Sequence, residues 1–155
     1  MVETDKQIDL FSTIVKILLN NDTIKSRFKK SDFYEIEEKP KSLNLSIPYI
    51  VINIPTTSTS SLTLKSLNTT KTFNIVIELV MDYLARDKVK LYITEIINSI
   101  ELNQNTFFKL GYSNLIIDSE QPREELLSQK QVIRTTFNLS VDGLLKRWNL
   151  HHLAN

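Results

Sequence analysis

The chain has 155 residues, 41% hydrophobic and 24% charged, which is enough apolar material and enough length for one domain with one core. Nineteen basic and 18 acidic residues leave a formal charge of +1, which excludes a general electrostatic drive onto nucleic acid or an anionic membrane. With no Cys, a disulfide framework, a thiol nucleophile and a thiolate metal site are excluded as well.

The acidic start Met1-Val2-Glu3-Thr4-Asp5 is unlike a signal peptide, and no apolar run approaches the ~20 residues that span a bilayer. A soluble protein used inside the cell is the expectation. Asp5 is placed to cap a first helix, in which Ile8, Phe11, Ile14, Val15, Leu18 and Leu19 recur every three or four residues. Asn20-Asn21-Asp22 interrupts it. One more helical turn, Thr23 to Lys29, would bury Ile24 and Phe28. Lys25, Arg27, Lys29 and Lys30 cluster there, as suits a helix C-terminus complementing its dipole. Phe33-Tyr34-Glu35-Ile36-Glu37 alternates weakly and reads as an edge strand, whose charges discourage foreign pairing. Lys39 to Ser42 reads as loop.

Tyr49 to Ile54 reads as a strand bracketed by Pro48 and Pro55, with Ile50, Ile52 and Ile54 on one face. From Thr56 to Thr70, ten residues are Ser or Thr and none is Gly or Pro, so this is no ordinary flexible linker. Thr favours extended backbone, and Leu62 and Leu64 alternate with polar neighbours. The segment is expected to form a polar arm between two strands, and a connection this long in a compact domain implies a task. Phe73, Ile75, Ile77, Leu79 and Met81 then point to one face, against Thr72, Asn74, Glu78 and Asp82, the pattern of a half-buried antiparallel strand.

Ala85-Arg86-Asp87 turns the chain into a second helix with a stripe of Val89, Tyr92, Ile93, Ile96, Ile97 and Ile100. So many Ile residues lower helix propensity, so packing on a sheet must stabilise it. Phe107-Phe108 is expected to close the core beneath the following loop. A short strand, Tyr112 to Asp118, follows Gly111. Ser119 to Gln129 reads as a polar loop around Pro122. The last strand runs from about Lys130 to Val141, with Ile133, Phe137, Leu139 and Val141 inward and Arg134, Thr136, Asn138 and Ser140 outward. Gly143 is expected to end it. The predicted architecture is one α+β domain, residues 1–143. An antiparallel or mixed sheet of four or more strands carries two main helices on one face and a long β-arm at 56–70. Residues 144–155 form an amphipathic tail. Ile75, Ile77, Leu79, Ile93, Ile97, Ile133 and Phe137 are expected in the core.

Signals of catalysis are poor. Two glycines, Gly111 and Gly143, cannot build a phosphate-cradling loop. His151 and His152 are adjacent at the end of the tail, poor geometry for a metal or a general base. The carboxylates Glu35, Glu37, Glu38, Glu120, Glu124 and Glu125 fall in expected loops or edges, where solvated charge is the default. No catalytic, cofactor or metal residue is assigned. Contact with a neighbouring subunit or partner is expected at Ser58, Ser60, Leu62, Leu64 and Leu67 in the arm. Gln121 and Arg123 in the polar loop and Arg147 and Trp148 in the tail are further candidates.

The helix Ile8–Leu19 with Asn20-Asn21-Asp22, the strand Pro48-Tyr49-Ile50-Val51-Ile52, the Thr56–Thr70 arm, the Phe73–Met81 strand, the Val89–Ile100 helix and two closing strands form a pattern over nearly the whole chain. In it the chain resembles the tail-terminator, or tail-completion, proteins of long-tailed bacteriophages and related viruses. That resemblance implies a structural virion protein, assembled in the host cytoplasm, without enzymatic activity or cofactor. It implies a ring, typically a hexamer, that caps the tail-tube protein and meets the head connector, with DNA passing through its lumen. Another small head–tail adaptor, or an unrelated α+β protein-binding module, fits the same residues.

Overall fold

A computed structural model describes residues 2–35, 47–54, 59–62, 68–127 and 129–146, with side chains described within 10–35, 47–54, 72–127 and 129–143. Helix α1 (Val2–Leu19) starts ahead of Asp5, so Asp5 lies inside the helix and does not cap it. The short α2 (Asp22–Lys25) begins at Asn21, whose side-chain oxygen accepts from the amides of Thr23 and Ile24 at 2.9 and 3.2 Å. The same side chain donates to Glu95 and Ser99 of helix α3 (Val89–Leu102), both at 2.8 Å. The Asn interruption is therefore a cap and a tie between helices.

Among the described residues seven strands form one sheet. They are β1 (Phe33–Glu35), β2 (Tyr49–Asn53), β3 (Thr59–Leu62), β4 (Asn68–Asp82), β5 (Tyr112–Ser119), β6 (Arg123–Leu127) and β7 (Lys130–Lys146). The order is β1-β2-β4-β7-β5, with β3 also on β4 and β6 also on β7. Only the β1–β2 pair is parallel; the rest are antiparallel. The spine is β4 against β7, paired from Asn68↔Lys146 to Asp82↔Val132. The outer edge of β4 carries β3 and β2 in series, and the outer edge of β7 carries β5 and β6.

At the strands the expected β-arm takes a definite form and two other expectations change. The arm contains strand β3 and the start of β4, paired in a hairpin from Thr59↔Thr72 to Leu62↔Thr69, because runs of Thr and Ser satisfy their backbone in a ladder. The supposed loop after Ser119 contains β6, which pairs Arg123–Leu127 with Lys130–Arg134. And β7 runs through Gly143 to Lys146, three residues into the stretch expected as tail. Gly143 does not stop the strand; it makes room. A Cβ there would stand 2.8 Å from Phe73 Cε2 and 3.2 Å from Tyr112 Cε1.

One face of the sheet holds the main core. Phe73, Ile75, Ile77 and Leu79 of β4 and Phe137, Leu139 and Val141 of β7 are sealed beneath Leu10, Ile14 and Leu18 of α1 and Ile96 and Ile100 of α3. Ile24 and Phe28 are buried as expected, with Phe28 edge-on to Tyr92, ring centroids 5.8 Å apart. Ile93 and Ile97 are only half-buried, contrary to expectation, because they lie on the flank of the stripe that Tyr92, Ile96, Ser99 and Ile100 centre. A 3-10 helix (Tyr83–Lys88), α3 and a short α4 (Gln104–Lys109) carry the chain from the end of β4 back to Tyr112, opposite Gly143. Phe107 is buried, but Phe108 is 71% exposed, so only half of that pair closes the core.

Phe137→Ala is expected to cost about 3–5 kcal/mol by urea unfolding, as for other aromatic truncations in cores. Gly143→Ala is expected to cost about 1–3 kcal/mol, since Phe73 or Tyr112 must yield. A change below about 0.5 kcal/mol would show that the Phe73–Gly143 contact is slack.

Candidate functional site

The chemistry of the chain concentrates on the sheet face away from the helices. Tyr49, Val51, Val80 and Val132 form a second buried cluster there, with Tyr34, Ile47 and Leu127 packed against it. Alternation on β7 turns Arg134 to this face, as expected, but Arg134 is 5% exposed rather than solvated. Its Nε donates to Glu125 on β6 at 2.7 Å, and its Nη1 donates to Glu78 on β4 at 3.0 Å. One guanidinium thus joins three strands through two carboxylates. Burial works against the Arg134 charge, but its hydrogen bond to Glu125 and the fields of Glu78 and Glu125 outweigh it, so its pKa lies above the ordinary value. Burial also pushes the Tyr49 phenol up, against the opposing field of Arg134. The Tyr49 hydroxyl lies close enough to feel that guanidinium, yet makes no hydrogen bond of normal geometry. The phenol therefore stays protonated, and the cluster is held closed by charge-assisted hydrogen bonds. These groups anchor β6; their chemistry is that of an ion-paired strut.

Asp142 makes a second strut on this face, accepting from Thr72 Oγ1 at 2.7 Å and from Asn114 Nδ2 at 2.8 Å. It crosses from β4 to β5 where β5 bulges between Ser113 and Ile116 and Asn114 takes φ 53°. The bulge bends an edge strand, a device that discourages uncontrolled pairing.

The expected contact residues fall at two opposite corners. Ser60 and Leu62 sit on β3, which joins β4 at Thr69–Thr72. Gln121 and Arg123 lie at the turn from β5 into β6, and Arg123 pairs across from Arg134, itself opposite Val80. Eight residues of β4 separate Thr72 from Val80, roughly 26 Å at ~3.3 Å per residue. Ser58, Leu64, Leu67, Arg147 and Trp148 lie outside the described residues, as do His151 and His152. Beyond Gly143 the described sheet narrows to β3, β4 and β7, a three-stranded tongue. Gln121 helps line a cleft of about 480 Å³ whose wall also holds Arg86, Lys90 and Glu120. The Arg86 guanidinium lies 4.6 Å from the Tyr83 ring centroid. The sequence reading missed Arg134, Glu78 and Asp142; the only sequence signal was a charge inside each long strand.

Among the described residues no three His, Cys, Asp or Glu side chains gather to hold a metal, and no helix is long and apolar enough to cross a membrane. Compared with known proteins, no family model matches the chain, and no curated protein is similar to it.

Arg134→Ala is expected to cost about 3–5 kcal/mol by urea unfolding, because it leaves Glu78 partly buried without its partner. A cost under about 1 kcal/mol would mean that water already reaches the cluster. Asp82 carries a second, pH-linked prediction. Its carboxylate accepts from the Leu84 amide at 3.0 Å and pairs with Lys130 at 3.2 Å. The amide first, then Lys130, holds its pKa below the ordinary 3.8. A depressed carboxylate stabilises the fold above its unfolded pKa, and that contribution is lost as pH falls through the folded value. Asp82→Ala should therefore cost about 1 kcal/mol at neutral pH, with the difference from wild type shrinking below pH 3.8. Thermal melts of both proteins across this range measure it.

Proposed function

We propose that this chain is a structural virion protein, a tail terminator that assembles as a ring on the end of a tail tube and offers its other side to the head connector. The observation that carries the reading is the tongue. Strands β4 and β7 continue past the level where β5 joins at Tyr112↔Gly143, and β3 folds back along β4 there. A single domain gains no core from strands that outrun their sheet, and ordering backbone costs roughly 1–2 kcal/mol per residue. A neighbouring subunit or tube supplies the contacts that offset this. The ring reading accounts for that surplus. It also suits a formal charge of +1, since a passage for DNA must not hold phosphates tightly. In this reading the ion cluster at Arg134 has a mechanical role, keeping β6 fixed while load passes along the spine.

The test is native mass measurement of the purified protein, with electron microscopy of tube protein polymerised in its presence. The expected outcome is a closed oligomer near six times the 18.0 kDa chain mass and tubes that stop growing at a capped end. A chain that stays monomeric at every concentration and leaves tube length unchanged would refute the proposal.

A further inference from the structure

The two outer edges of the sheet differ in charge and lie at opposite corners. The tongue residues Thr59–Leu62, Asn68–Lys71 and Leu144–Lys146 include Lys71 and Lys146 and no acidic residue. The full stretch from Thr56 to Thr72 likewise has no Asp or Glu. The edge on the other side of β7, running from β5 through the turn into β6, carries Asp118, Glu120, Glu124 and Glu125 against the single cation Arg123. Asp118, Glu120 and Glu124 are exposed, and none of the three is in an ion pair among the described residues. Glu125 is already taken by Arg134. Two large apolar side chains stand in the open on the same edge, Ile116 at 64% and Leu126 at 73% exposure. Neither β5 nor β6 has a strand on its outer side among the described residues. This edge is thus apolar in part, negatively charged and unpaired.

We infer that the acidic β5–β6 edge of one copy receives the cationic tongue of the next, so that copies join head to tail. This rests on the ring reading above and names the surface that closes the ring. Unlike charges meet, and the exposed Ile116 and Leu126 give the receiving edge apolar surface to bury. Because donor and acceptor surfaces differ and sit at opposite corners, each copy uses both, with two different neighbours. Such a contact cannot form an isologous dimer; it propagates, and it terminates only by closing. The Asn114 bulge and the Asp142 strut at the base of the tongue fix its direction relative to β5, which sets the angle from one copy to the next.

Charge reversal tests this by native mass spectrometry of the full chain. Lys71→Glu with Lys146→Glu makes a copy acidic at both corners, and Asp118→Lys with Glu124→Lys makes one basic at both. Each variant alone should need at least tenfold more protein than wild type to assemble, with circular dichroism unchanged. An equimolar mixture should reassemble with the two variants in equal numbers, since each acidic tongue then faces a basic edge and each basic tongue an acidic one. Recovery by mixing separates loss of contact from loss of fold. Assembly of either variant alone at wild-type concentration, or failure of the mixture, would overturn the contact while leaving a wild-type ring intact. A wild-type chain that never assembles would overturn the ring reading itself.

Discussion

The ladder between β4 and β7 is the constraint on which the rest of the structure depends. Its register, Ile77↔Phe137 at the centre, decides which residues share a face on every other strand. A slip of one residue would send Ile75, Ile77 and Leu79 to the face where Arg134 and Asp142 now lie. Such a slip would bury carboxylates under α1 and α3 and expose the core. The alternation is unbroken over most of β4 and β7, so the register has no close competitor. Both long strands then offer an outer edge, and the short strands β2, β3, β5 and β6 take their places by pairing with what is left.

The sheet has two buried sides, built by different means. The helix side is closed by aliphatic and aromatic packing, with Phe28, Tyr92, Phe73 and Tyr112 in edge-on pairs. It contains one polar misfit, Thr135, whose hydroxyl is buried without a partner. Such a group costs about 1–3 kcal/mol, which the surrounding apolar burial must absorb. On the far side, a small cluster around Tyr49 and Val80 meets the Arg134 strut. The strut is favourable because two carboxylates reach the guanidinium at hydrogen-bond distance. It also explains why a strand as polar as β6, Arg123-Glu124-Glu125-Leu126-Leu127, stays on the sheet.

These features separate a packed body from the surfaces that the proposed assembly would use. The body runs from the Asp82 corner to the Phe73–Gly143–Tyr112 layer, and the tongue starts there. Asp118, Glu120 and Glu124, in no ion pair among the described residues, lie along the β5–β6 edge, while Lys71 and Lys146 belong to the tongue. A chain with almost no net charge thus carries residues of opposite charge on its tongue and on its β5–β6 edge. Under the proposed ring assembly, that difference gives the contact between copies its direction.

The sequence by itself determined the elements whose pattern is local. Period-two runs in β2, β4 and β7, the helical stripes of α1 and α3, and the inward set around Ile77 and Phe137 were legible because alternation and 3.6-residue spacing are written in neighbouring residues. So was the α+β class, and so was the oddity of a long Ser/Thr-rich connection. Only the tertiary structure decided that this connection is itself a hairpin on β4, since Thr and Ser accept a ladder or a loop equally well. The same holds for β6, whose polar residues join the sheet only because Arg134 and the exposed rim of β7 are there to receive them. Gly143 looked like a stop from sequence and proved to be a clearance for two rings, a reason that exists only once Phe73 and Tyr112 are brought beside it. The candidate contact residues fall in three segments: the arm, the polar loop after Ser119 and the tail. That Ser60 and Gln121 lie at opposite corners of one sheet follows from the pairing of β4 with β7, a long-range register that no local pattern encodes.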